Sequence, residues 1–504
     1  EVSNCIVSLP IGEAIVTDGE VLFSDSDFVS SPTLSADAST LAFIWWDHPN
    51  MPWDITTLAV ASLTEDGHFS EVTHVQGPCP ASILQPRFNG DRQLYVISDW
   101  SGWWNIYRYD LSVFSDSAEP VNVCPLRAEA CSAQWQLGKY NYDFVVDGSI
   151  AVSICSEGHW SLLHVNAEAV KATHQEDRSY ETILDGFGHI DCLSVSGETL
   201  YFCGATSTEL LGVYSVALSA RSGACRELIP ERLIGVVTKL SQASISRPLN
   251  IEFDTGEDEK AYAFFYPPTN SRVRTEGGDK PPLIVGVHGG PTSAARAVLN
   301  LKVQFWTSRG FAYLDVNHRG STGWGRQYRH RLYQCWGIVD IEDIENGVRQ
   351  VIDQGLVAPD RIAIRGGSAG GYSVMACLAN SKLFSAGASY YGISDLEVLA
   401  QETHKFEAHY LDSLIGPLPE TKNRYIERSP INKIGDISAP LLLLQGLEDK
   451  VVPPSQAELI CNKLQRQGTE VTYLTFPGEG HGFRQSENQI RALNAELEFY
   501  LKYL

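Results

Sequence analysis

The fold of the C-terminal half is decided by the stretch Ile364-Arg365-Gly366-Gly367-Ser368-Ala369-Gly370-Gly371-Tyr372. The apolar run before it, 361–364, predicts a short buried strand, and residues 372–380 predict the start of a helix. The G-x-S-x-G pattern centred on Ser368 therefore lies between a strand and a helix, which is the setting of a nucleophile elbow. A side chain at either glycine of the pattern would collide with the neighbouring strand or helix. The alternative is a glycine-rich loop with a solvated serine.

Two later residues could complete a catalytic set with this serine. A serine needs a general base, and the base needs an acid that orients it. In an α/β-hydrolase these follow the serine in the order Asp, His. Asp449 and His481 each come just after an apolar run that predicts a strand, so both are expected at the sheet edge where Ser368 lies. Ser368 is then the nucleophile, His481 the base and Asp449 the acid. Glu448 is a rival for Asp449, and an ordinary loop histidine is the alternative for His481.

Acyl transfer also needs hydrogen-bond donors for the tetrahedral oxyanion. The backbone N–H of Ala369, which directly follows Ser368, is one candidate. The second donor is expected in the His-Gly-Gly-Pro loop at 288–291, after another apolar run, and Gly290 is favoured over Gly289. A tight turn that serves packing alone is the alternative for this loop.

Residues 246–504 alternate between strand and helix patterns. Continuous apolar strands of this kind predict an α/β fold, an α/β-hydrolase domain with a mostly parallel, doubly wound sheet covered on both faces. Ser455 is a plausible N-cap and Gly468 a plausible C-cap of one helix. Helices are also expected at 341–352 and 490–504. The predicted strands are 260–266, 282–287, 310–316, 361–364, 386–390, 441–444 and 471–476.

Residues 1–245 contain short apolar runs separated by turn signals. A pattern of strand, short turn, strand and later strand recurs about every 50 residues, which is typical of a β-propeller. Four blades are recognisable, and the last strand of a fifth is expected. Because a closed ring usually has more blades, we expect an N-terminal segment before residue 1 that completes the propeller. A β-sandwich is the alternative. The four repeats lie at 31–46, 85–109, 142–165 and 193–216.

Composition excludes several classes of function. A chain of 504 residues is too long for one core, which predicts at least two domains. The net charge of −23 argues against a nucleic-acid partner, and the absence of an apolar run of about 18 residues argues against a membrane span.

Eleven cysteines without C-x-x-C pairs argue against a disulfide framework and against a structural zinc site. With no N-x-[ST] sequon present either, we predict a cytoplasmic location. The sequence is compatible with a homo-oligomer as well as with a monomer.

These motifs carry a resemblance to a known family. A propeller-like region followed by Gly367-Ser368-Ala369-Gly370-Gly371-Tyr372 resembles the prolyl oligopeptidase family of serine peptidases. The loop 288–291 is similar to that of its acylaminoacyl-peptidase and aminopeptidase branch, and the segment 317–325 to the family's Arg-Gly-Ser-x-Gly segment. The resemblance implies the triad and oxyanion donors named above, neither a metal nor an organic cofactor, and a propeller that limits access to short peptides.

Substrate contacts are less well marked. The Glu-Glu pair by which dipeptidyl peptidases hold a free amino terminus is not recognisable in this sequence. The segment 45–54 combines aromatic and polar residues, and Asp47 or Asp54 could hold a substrate amino group. A packed loop between strands is the alternative. Trp324 and Tyr391 are further candidate substrate contacts.

Three functions remain open at this stage. The first is a serine peptidase that acts on short peptides or aminoacyl amides. The second is an esterase or amidase acting on a small non-peptide metabolite, because this fold hosts many acyl-transfer reactions. The third is an inactive propeller scaffold that binds partners, which the full set of Ser368, Asp449 and His481 disfavours.

Overall fold

The computed structural model describes residues 2–9, 19–64, 68, 72–75, 77–90, 92–111, 119–166, 180–218, 228–273 and 278–504. The chain divides into two compact units. The N-terminal unit comprises Glu1–Val237 and the short segment Gly323–Gln327, and the C-terminal unit comprises Thr238–Thr322 and Tyr328–Leu504. None of the described helices has the length and apolarity that a membrane crossing requires.

The N-terminal unit is built from antiparallel strands. A hairpin of β1 (Ile6–Ser8) and β2 (Glu20–Phe23) precedes four four-stranded sheets, in each of which neighbours in sequence pair with one another. Each sheet is one blade, so the predicted propeller region is confirmed. The first two blades contain β3 (Phe28–Leu34), β4 (Thr40–Trp46), β5 (Thr57–Ser62), β6 (Thr73–Val75), β7 (Ile83–Asn89), β8 (Gln93–Ser98), β9 (Asn105–Asp110) and β10 (Val121–Asn122). The last two contain β11 (Tyr142–Phe144), β12 (Ile150–Ser156), β13 (His159–Val165), β14 (Tyr180–Phe187), β15 (His189–Ser196), β16 (Thr199–Ala205), β17 (Gly212–Ala217) and β18 (Glu231–Gly235).

A bulge recurs in the first strand of three blades. It places a non-glycine residue in the left-handed region, with φ of 55° at Ser31, 53° at Gln85 and 56° at Cys192. In the second blade the bulged residue reaches the next blade. The Gln85 Nε2 donates to the Asn141 Oδ1 at 2.9 Å, and the Asn141 N–H donates to the Gln85 Oε1 at 2.8 Å. The bulge therefore helps to join neighbouring blades, which cannot bury their faces alone.

The C-terminal unit is organised around one eight-stranded sheet in the order β19-β20-β22-β21-β23-β24-β25-β26. β20 runs antiparallel to both of its neighbours, β19 and β22, and all other neighbouring strands of the sheet pair in parallel. The predicted α/β-hydrolase architecture is confirmed, and β19 is a strand that the sequence patterns missed. The bounds are β19 (Leu249–Thr255), β20 (Glu259–Tyr266), β21 (Leu283–Val287), β22 (Ala312–Asn317), β23 (Ile362–Gly367), β24 (Ala386–Tyr390), β25 (Leu441–Gly446) and β26 (Val471–Phe476).

The structure describes nine α-helices between residues 301 and 503. One of them, α2, begins in the segment Gly323–Gln327, which belongs to the N-terminal unit, and ends in the C-terminal unit. Gly468 ends α8 with φ of 86°, which confirms the predicted C-cap. Ser455 lies inside α8, because Pro453 is the N-cap and Pro454 the first helical residue, so the Ser455 prediction was wrong. The bounds are α1 (Leu301–Thr307), α2 (Gly325–His330), α3 (Val339–Asp353), α4 (Ala369–Asn380), α5 (Leu396–Glu402), α6 (Tyr410–Leu414), α7 (Lys422–Arg428), α8 (Pro454–Gln467) and α9 (Ser486–Tyr503).

Both faces of the central strands are buried. Ile284 and Leu442 belong to a core cluster that contains Trp306 of α1 and Tyr500 of α9. The alternate strand residues, such as Leu443, point to the opposite face and are buried as well. Full burial of one such side chain contributes about 1.5–3 kcal/mol. A sheet covered on both sides leaves its strand ends as the place where polar side chains can meet.

Candidate active site

Ser368 lies in a tight turn between β23 and α4. Its φ of 58° and ψ of −123° place it in a region that residues with a side chain rarely adopt. The turn is held by the Ser368 N–H, which donates to the Tyr390 carbonyl of the neighbouring strand at 3.0 Å. The predicted elbow geometry is therefore present, with the serine at the carboxyl end of a central strand.

The two glycines of the pattern allow this turn for a steric reason. A Cβ on Gly366 would lie 2.4 Å from the Gly370 carbonyl oxygen, and a Cβ on Gly370 would lie 2.3 Å from the Val287 carbonyl oxygen. Both obstacles are backbone atoms, which cannot rotate away as a side chain can. Any larger residue at either position must therefore displace a strand or a helix.

Ser368, His481 and Asp449 form a continuous hydrogen-bonded chain. The His481 Nε2 lies 2.9 Å from the Ser368 Oγ, and the His481 Nδ1 lies 2.8 Å from the Asp449 Oδ2. With its Nδ1–H donated to the carboxylate, the imidazole has its Nε2 lone pair directed at the serine hydroxyl. The arrangement can take the hydroxyl proton as a bond forms to the serine oxygen.

The Asp449 carboxylate is fixed on both of its oxygens. Its side chain is fully buried, and its Oδ1 accepts the N–H groups of Val451 and Val452, both at 2.9 Å. The other oxygen is thereby left facing His481. The side chain of the rival residue, Glu448, is exposed, so the structure pairs His481 with Asp449 rather than with Glu448.

The loop that carries His481 is held by the buried carboxylate of Glu479. That carboxylate accepts the N–H groups of Arg484 at 2.8 Å and of Gln485 at 3.0 Å, and the side-chain amide of Asn488 at 2.9 Å. Burial opposes ionisation of Glu479, but these three donors outweigh it and lower its pKa. Hydrogen bonds thus join the residues that precede and follow His481 in this loop.

A pocket of about 410 Å³ opens beside Ser368 and contains both predicted oxyanion residues, Gly290 and Ala369. Gly290 has φ of 123°, and a Cβ there would lie 2.8 Å from the Thr292 nitrogen, so the position requires glycine. Ala369 opens α4, where the first backbone N–H groups have no partner within the helix. We call this cavity the Ser368 pocket. It is lined by Gly290, Pro291, Trp336, Ser368, Ala369, Ile393, Leu399, Thr403, Glu407, Tyr410, Leu411, Leu414, Val451 and Val452.

The first residue of the His-Gly-Gly-Pro loop, His288, stacks on a second histidine, His318. The rings of His288 and His318 lie 4.6 Å apart at 21°, and the His288 Nε2 lies 2.8 Å from the Ser321 Oγ. Burial lowers the pKa of His288 to about 4, and burial together with the neighbouring His288 lowers the pKa of His318 to about 3. Both rings are therefore neutral at pH 7 and stack without charge repulsion.

Arg319 anchors the segment that follows His318. Its guanidinium is almost fully buried, with Nε 3.0 Å from the Asp343 Oδ1 and one terminal nitrogen 2.8 Å from the Glu259 Oε2. Its backbone N–H also donates to Asp343, at 2.6 Å. The Arg-Gly-Ser segment thus supports the site through packing and ion pairs rather than by contact with Ser368.

The comparisons with known proteins fit this geometry. A sequence model described as the prolyl oligopeptidase family matches residues 297–504. A solved structure of a puromycin-hydrolyzing peptidase from Mycobacterium tuberculosis is 38% identical, with a TM-score of 0.89, and the match covers 96% of this chain and 71% of that one.

The chain belongs to the prolyl oligopeptidase family.

Other relatives within the family agree. A crystal structure of puromycin hydrolase is 33% identical, with a TM-score of 0.88. This match also covers 96% of this chain and 71% of that one. Dipeptidyl aminopeptidase BIII from Pseudoxanthomonas mexicana is 32% identical over 286 residues, which are 54% of this chain and 41% of that protein. The chain thus matches less than half the length of this curated relative.

The predicted substrate contacts in the N-terminal unit have partners within that unit or are buried in it. The Asp47 Oδ1 accepts the Asp27 N–H at 2.7 Å, and the buried Asp54 accepts the Met51 N–H at 2.8 Å. Trp324 belongs to the same unit and is buried, with 9% of its surface exposed. These contacts are those expected of a packed loop between strands. A substrate role for Asp47, Asp54 and Trp324 stays a prediction.

Tyr391, the remaining candidate, lies next to the triad. Its ring centroid is 4.8 Å from that of His481, and its φ of 39° places a second left-handed residue at the end of the strand beside β23. A Cβ on Gly367 would lie 3.1 Å from the Tyr391 hydroxyl oxygen. Tyr391 therefore packs directly against the elbow and the imidazole.

Two polar residues of the Ser368 pocket, Tyr410 and Glu407, could not be recognised from the sequence. Tyr410 lies within hydrogen-bond distance of the loop that carries Gly290, because its hydroxyl accepts the Thr292 N–H at 3.2 Å and lies 2.5 Å from the Thr292 Oγ1. Glu407 also lines this pocket. Both come from the irregular stretch between β24 and β25, where short helices give no motif or periodic pattern.

A group of potential metal ligands lies away from this site, in the fourth blade. The ligand atoms of Asp191, Cys192 and Cys203 are all within 4.8 Å of one another. The Lys139 Nζ is 3.0 Å from the Asp191 carboxylate, so a cation already neutralises it. Burial raises the pKa of Cys192 to about 12, which disfavours the thiolate that a metal requires.

Proposed function

We propose that this protein is a serine peptidase that cleaves short peptides or aminoacyl amides through an acyl-enzyme on Ser368. The observation that carries the proposal is the chain of hydrogen bonds from Ser368 through His481 to Asp449, at 2.9 Å and 2.8 Å, at the edge of an α/β-hydrolase sheet. Membership of the prolyl oligopeptidase family supports it.

In the first step the Ser368 Oγ attacks the substrate carbonyl carbon while the His481 Nε2 takes the hydroxyl proton. The imidazolium that forms is stabilised by Asp449, which keeps its negative charge throughout. Because the two backbone N–H groups on its other oxygen hold the carboxylate in place, little reorganisation is needed when the charge develops.

The carbonyl oxygen becomes negatively charged in the tetrahedral intermediate. We propose that the backbone N–H groups of Ala369 and Gly290 stabilise it, since both residues line the pocket beside Ser368. The N-terminal end of α4 adds a partial positive charge at the same place. A single such donor contributes about 3–4 kcal/mol to the transition state.

The intermediate collapses when the C–N bond breaks and the His481 imidazolium gives its proton to the leaving amine. The acyl group then remains on the Ser368 Oγ as an ester. A water molecule, deprotonated by His481, hydrolyses this ester by the same steps and regenerates the free serine.

The relatives support the substrate class. One is named a dipeptidyl aminopeptidase, one a puromycin-hydrolyzing peptidase and one a puromycin hydrolase. We therefore propose amide substrates whose acyl part is an amino acid or a short peptide. The limit to short peptides rests on the family resemblance, and cleavage of a series from dipeptide to 30-residue peptide, followed by mass spectrometry, tests it.

The rival function is an esterase or amidase for a non-peptide metabolite. Rates on aminoacyl and dipeptidyl p-nitroanilides, compared with p-nitrophenyl acetate and butyrate, separate the two. The peptidase proposal expects anilide turnover that is lost in Ser368→Ala. Turnover of the simple esters without any turnover of anilides or peptides would contradict it.

We also propose that the protein acts in the cytoplasm. The support is the scattered set of cysteines, of which the ten in the described residues form no disulfide. Cell fractionation with an antibody against the native chain tests this, and recovery in the extracellular fraction would contradict it.

A further inference from the structure

We propose that Glu407 makes the Ser368 pocket selective for substrates with a cationic side chain, lysine or arginine, on the acyl side of the cleaved bond. The inference rests on the proposed function, because it names the side chain that the same site accepts. It begins from the walls of the pocket, most of which are apolar. Trp336, Ile393, Leu399, Leu411, Leu414 and Val452 supply them.

The position of the pocket determines which part of a substrate enters it. Ser368 and both proposed oxyanion donors, Gly290 and Ala369, line the same cavity. A carbonyl carbon attacked by Ser368 would therefore lie at the mouth of the pocket. The side chain nearest to that carbon on the acyl side would point inward.

Glu407 is the charged group on the pocket wall. Its side chain is 21% exposed, and its carboxylate has two described polar contacts, both long. The Thr403 hydroxyl lies at 3.5 Å, and the His404 Nε2 at 3.6 Å. No described lysine or arginine forms an ion pair with this carboxylate, in contrast to Asp343 and Glu496 elsewhere in the same unit.

This environment raises the energy of an ionised carboxylate. Burial raises the pKa of Glu407, and the nearby imidazoles of His404 and His481 only partly offset the effect. A partly buried carboxylate without a close cation is stabilised when a cation arrives. The carboxylate of Glu407 can therefore accept hydrogen bonds from a substrate cation.

The shape of the lysine and arginine side chains matches this combination. Each has an apolar stem that can lie along the leucine and valine walls, and a cationic head that can reach a carboxylate. A substrate α-amino group would carry the same charge, but it has no stem, and the apolar walls would then be left uncovered. The apolar walls therefore favour the side chain over the α-amino group as the ligand of Glu407.

The test compares lysine with norleucine, which has a similar stem without the charge. The substrates are 7-amido-4-methylcoumarins of both residues, each with a free, an acetylated and a glycylated α-amino group. The wild type is expected to show a kcat/KM for lysine at least about 10-fold above that for norleucine. Glu407→Gln is expected to reduce that ratio by about 10-fold or more, and Glu407→Asp to restore part of it.

Glu402→Gln is the matched control, because Glu402 is an exposed glutamate at the end of α5, five residues before Glu407. It should leave the lysine-to-norleucine ratio as in the wild type. The same ratio measured on the acetylated pair separates the two kinds of ammonium group. If the preference for lysine disappears once the α-amino group is acetylated, the side-chain assignment is overturned.

Two other results separate this inference from the proposed function. Turnover of norleucine substrates at rates equal to those of lysine overturns the role of Glu407 and leaves the peptidase proposal standing. An absence of turnover on every coumarin amide, together with turnover of simple esters, overturns both.

Discussion

Both units contain non-glycine residues in the left-handed region, yet the two sets differ in kind. In the N-terminal unit Ser31, Gln85 and Cys192 occupy the same bulge in three blades, with φ between 53° and 56°. In the C-terminal unit Ser368 and Tyr391, with φ of 58° and 39°, lie at the ends of two adjacent parallel strands, whereas Asp258 and Gln334, at 59° and 61°, lie in turns.

The difference shows when backbone strain points to function. A left-handed residue costs about 1–3 kcal/mol and persists where surrounding structure compensates for it. In the blades the geometry recurs with three unrelated side chains, so it belongs to the architecture of the blade. At Ser368 it occurs at a strand end, where the serine Oγ lies 2.9 Å from the His481 Nε2. Strain without repetition, next to a hydrogen-bonded base, is the informative combination.

The largest effect is expected when the two kinds of left-handed residue are replaced in the same way. Ser368→Ala should reduce kcat by about 10⁶-fold, because the nucleophile is lost while the turn is kept. Ser31→Ala, at an almost identical φ, should leave kcat/KM within about twofold of the wild type. Steady-state kinetics on an aminoacyl anilide measure both, and a large loss of activity in Ser31→Ala would break the comparison.

The next effect concerns the acid of the triad. Asp449→Asn is expected to lower kcat by about 10⁴-fold, because an amide can hold His481 in the wrong tautomer. Glu448→Gln, at the exposed neighbouring position, is the control and should have little effect. If the Glu448 variant lost more activity than the Asp449 variant, the assignment of the acid would be contradicted.

Two glycines test the steric side of the comparison. Gly370→Ala should lower the free energy of unfolding by about 3 kcal/mol or more, because its Cβ would meet the Val287 carbonyl oxygen at 2.3 Å. Gly90→Ala, in a blade turn with φ of 72° and nothing within 4 Å, should cost only about 1 kcal/mol. Urea unfolding of the full chain measures both, and equal losses would show that the elbow can relax.

The smallest expected effect is a change in the free energy of unfolding with pH. The pKa of His318 is near 3 in the folded protein, mainly because of burial, whereas an unfolded histidine takes up a proton below about pH 6.5. The unfolded state therefore binds more protons as the pH falls from 6.5, and stability is lost in that direction. By pH 5 the loss from His318 is about 2 kcal/mol. In His318→Asn, urea unfolding at pH 7.5 and pH 5 should show a smaller difference than in the wild type. Equal differences would contradict the account.

Much of the C-terminal unit could be predicted from the sequence, for reasons that are local. Apolar runs of five or six residues specify buried parallel strands, and the glycines around Ser368 specify a turn that other residues cannot form. Asp449 and His481 follow such strands directly, so the topology brings them to one edge. The order of these elements along the chain was sufficient to place the candidate site.

Other features depend on contacts between distant residues and leave no local pattern. Glu407 and Tyr410 come from a segment of short helices whose conformation is set by packing rather than by periodicity. Asp54 was a candidate for substrate binding by its residue type, but its contact with the Met51 N–H depends on the folded loop. The cap at Pro453 was missed because Ser455 is the more usual cap by residue type.

The central claim is that an acyl group is transferred to Ser368. Labelling of the full chain with a fluorophosphonate, followed by peptide mass spectrometry, tests it most directly. One adduct is expected, on the peptide that contains Ser368, with activity falling in proportion to labelling and no adduct in His481→Ala. Complete inactivation by an adduct on a different serine, or full activity after Ser368 is modified, would contradict it.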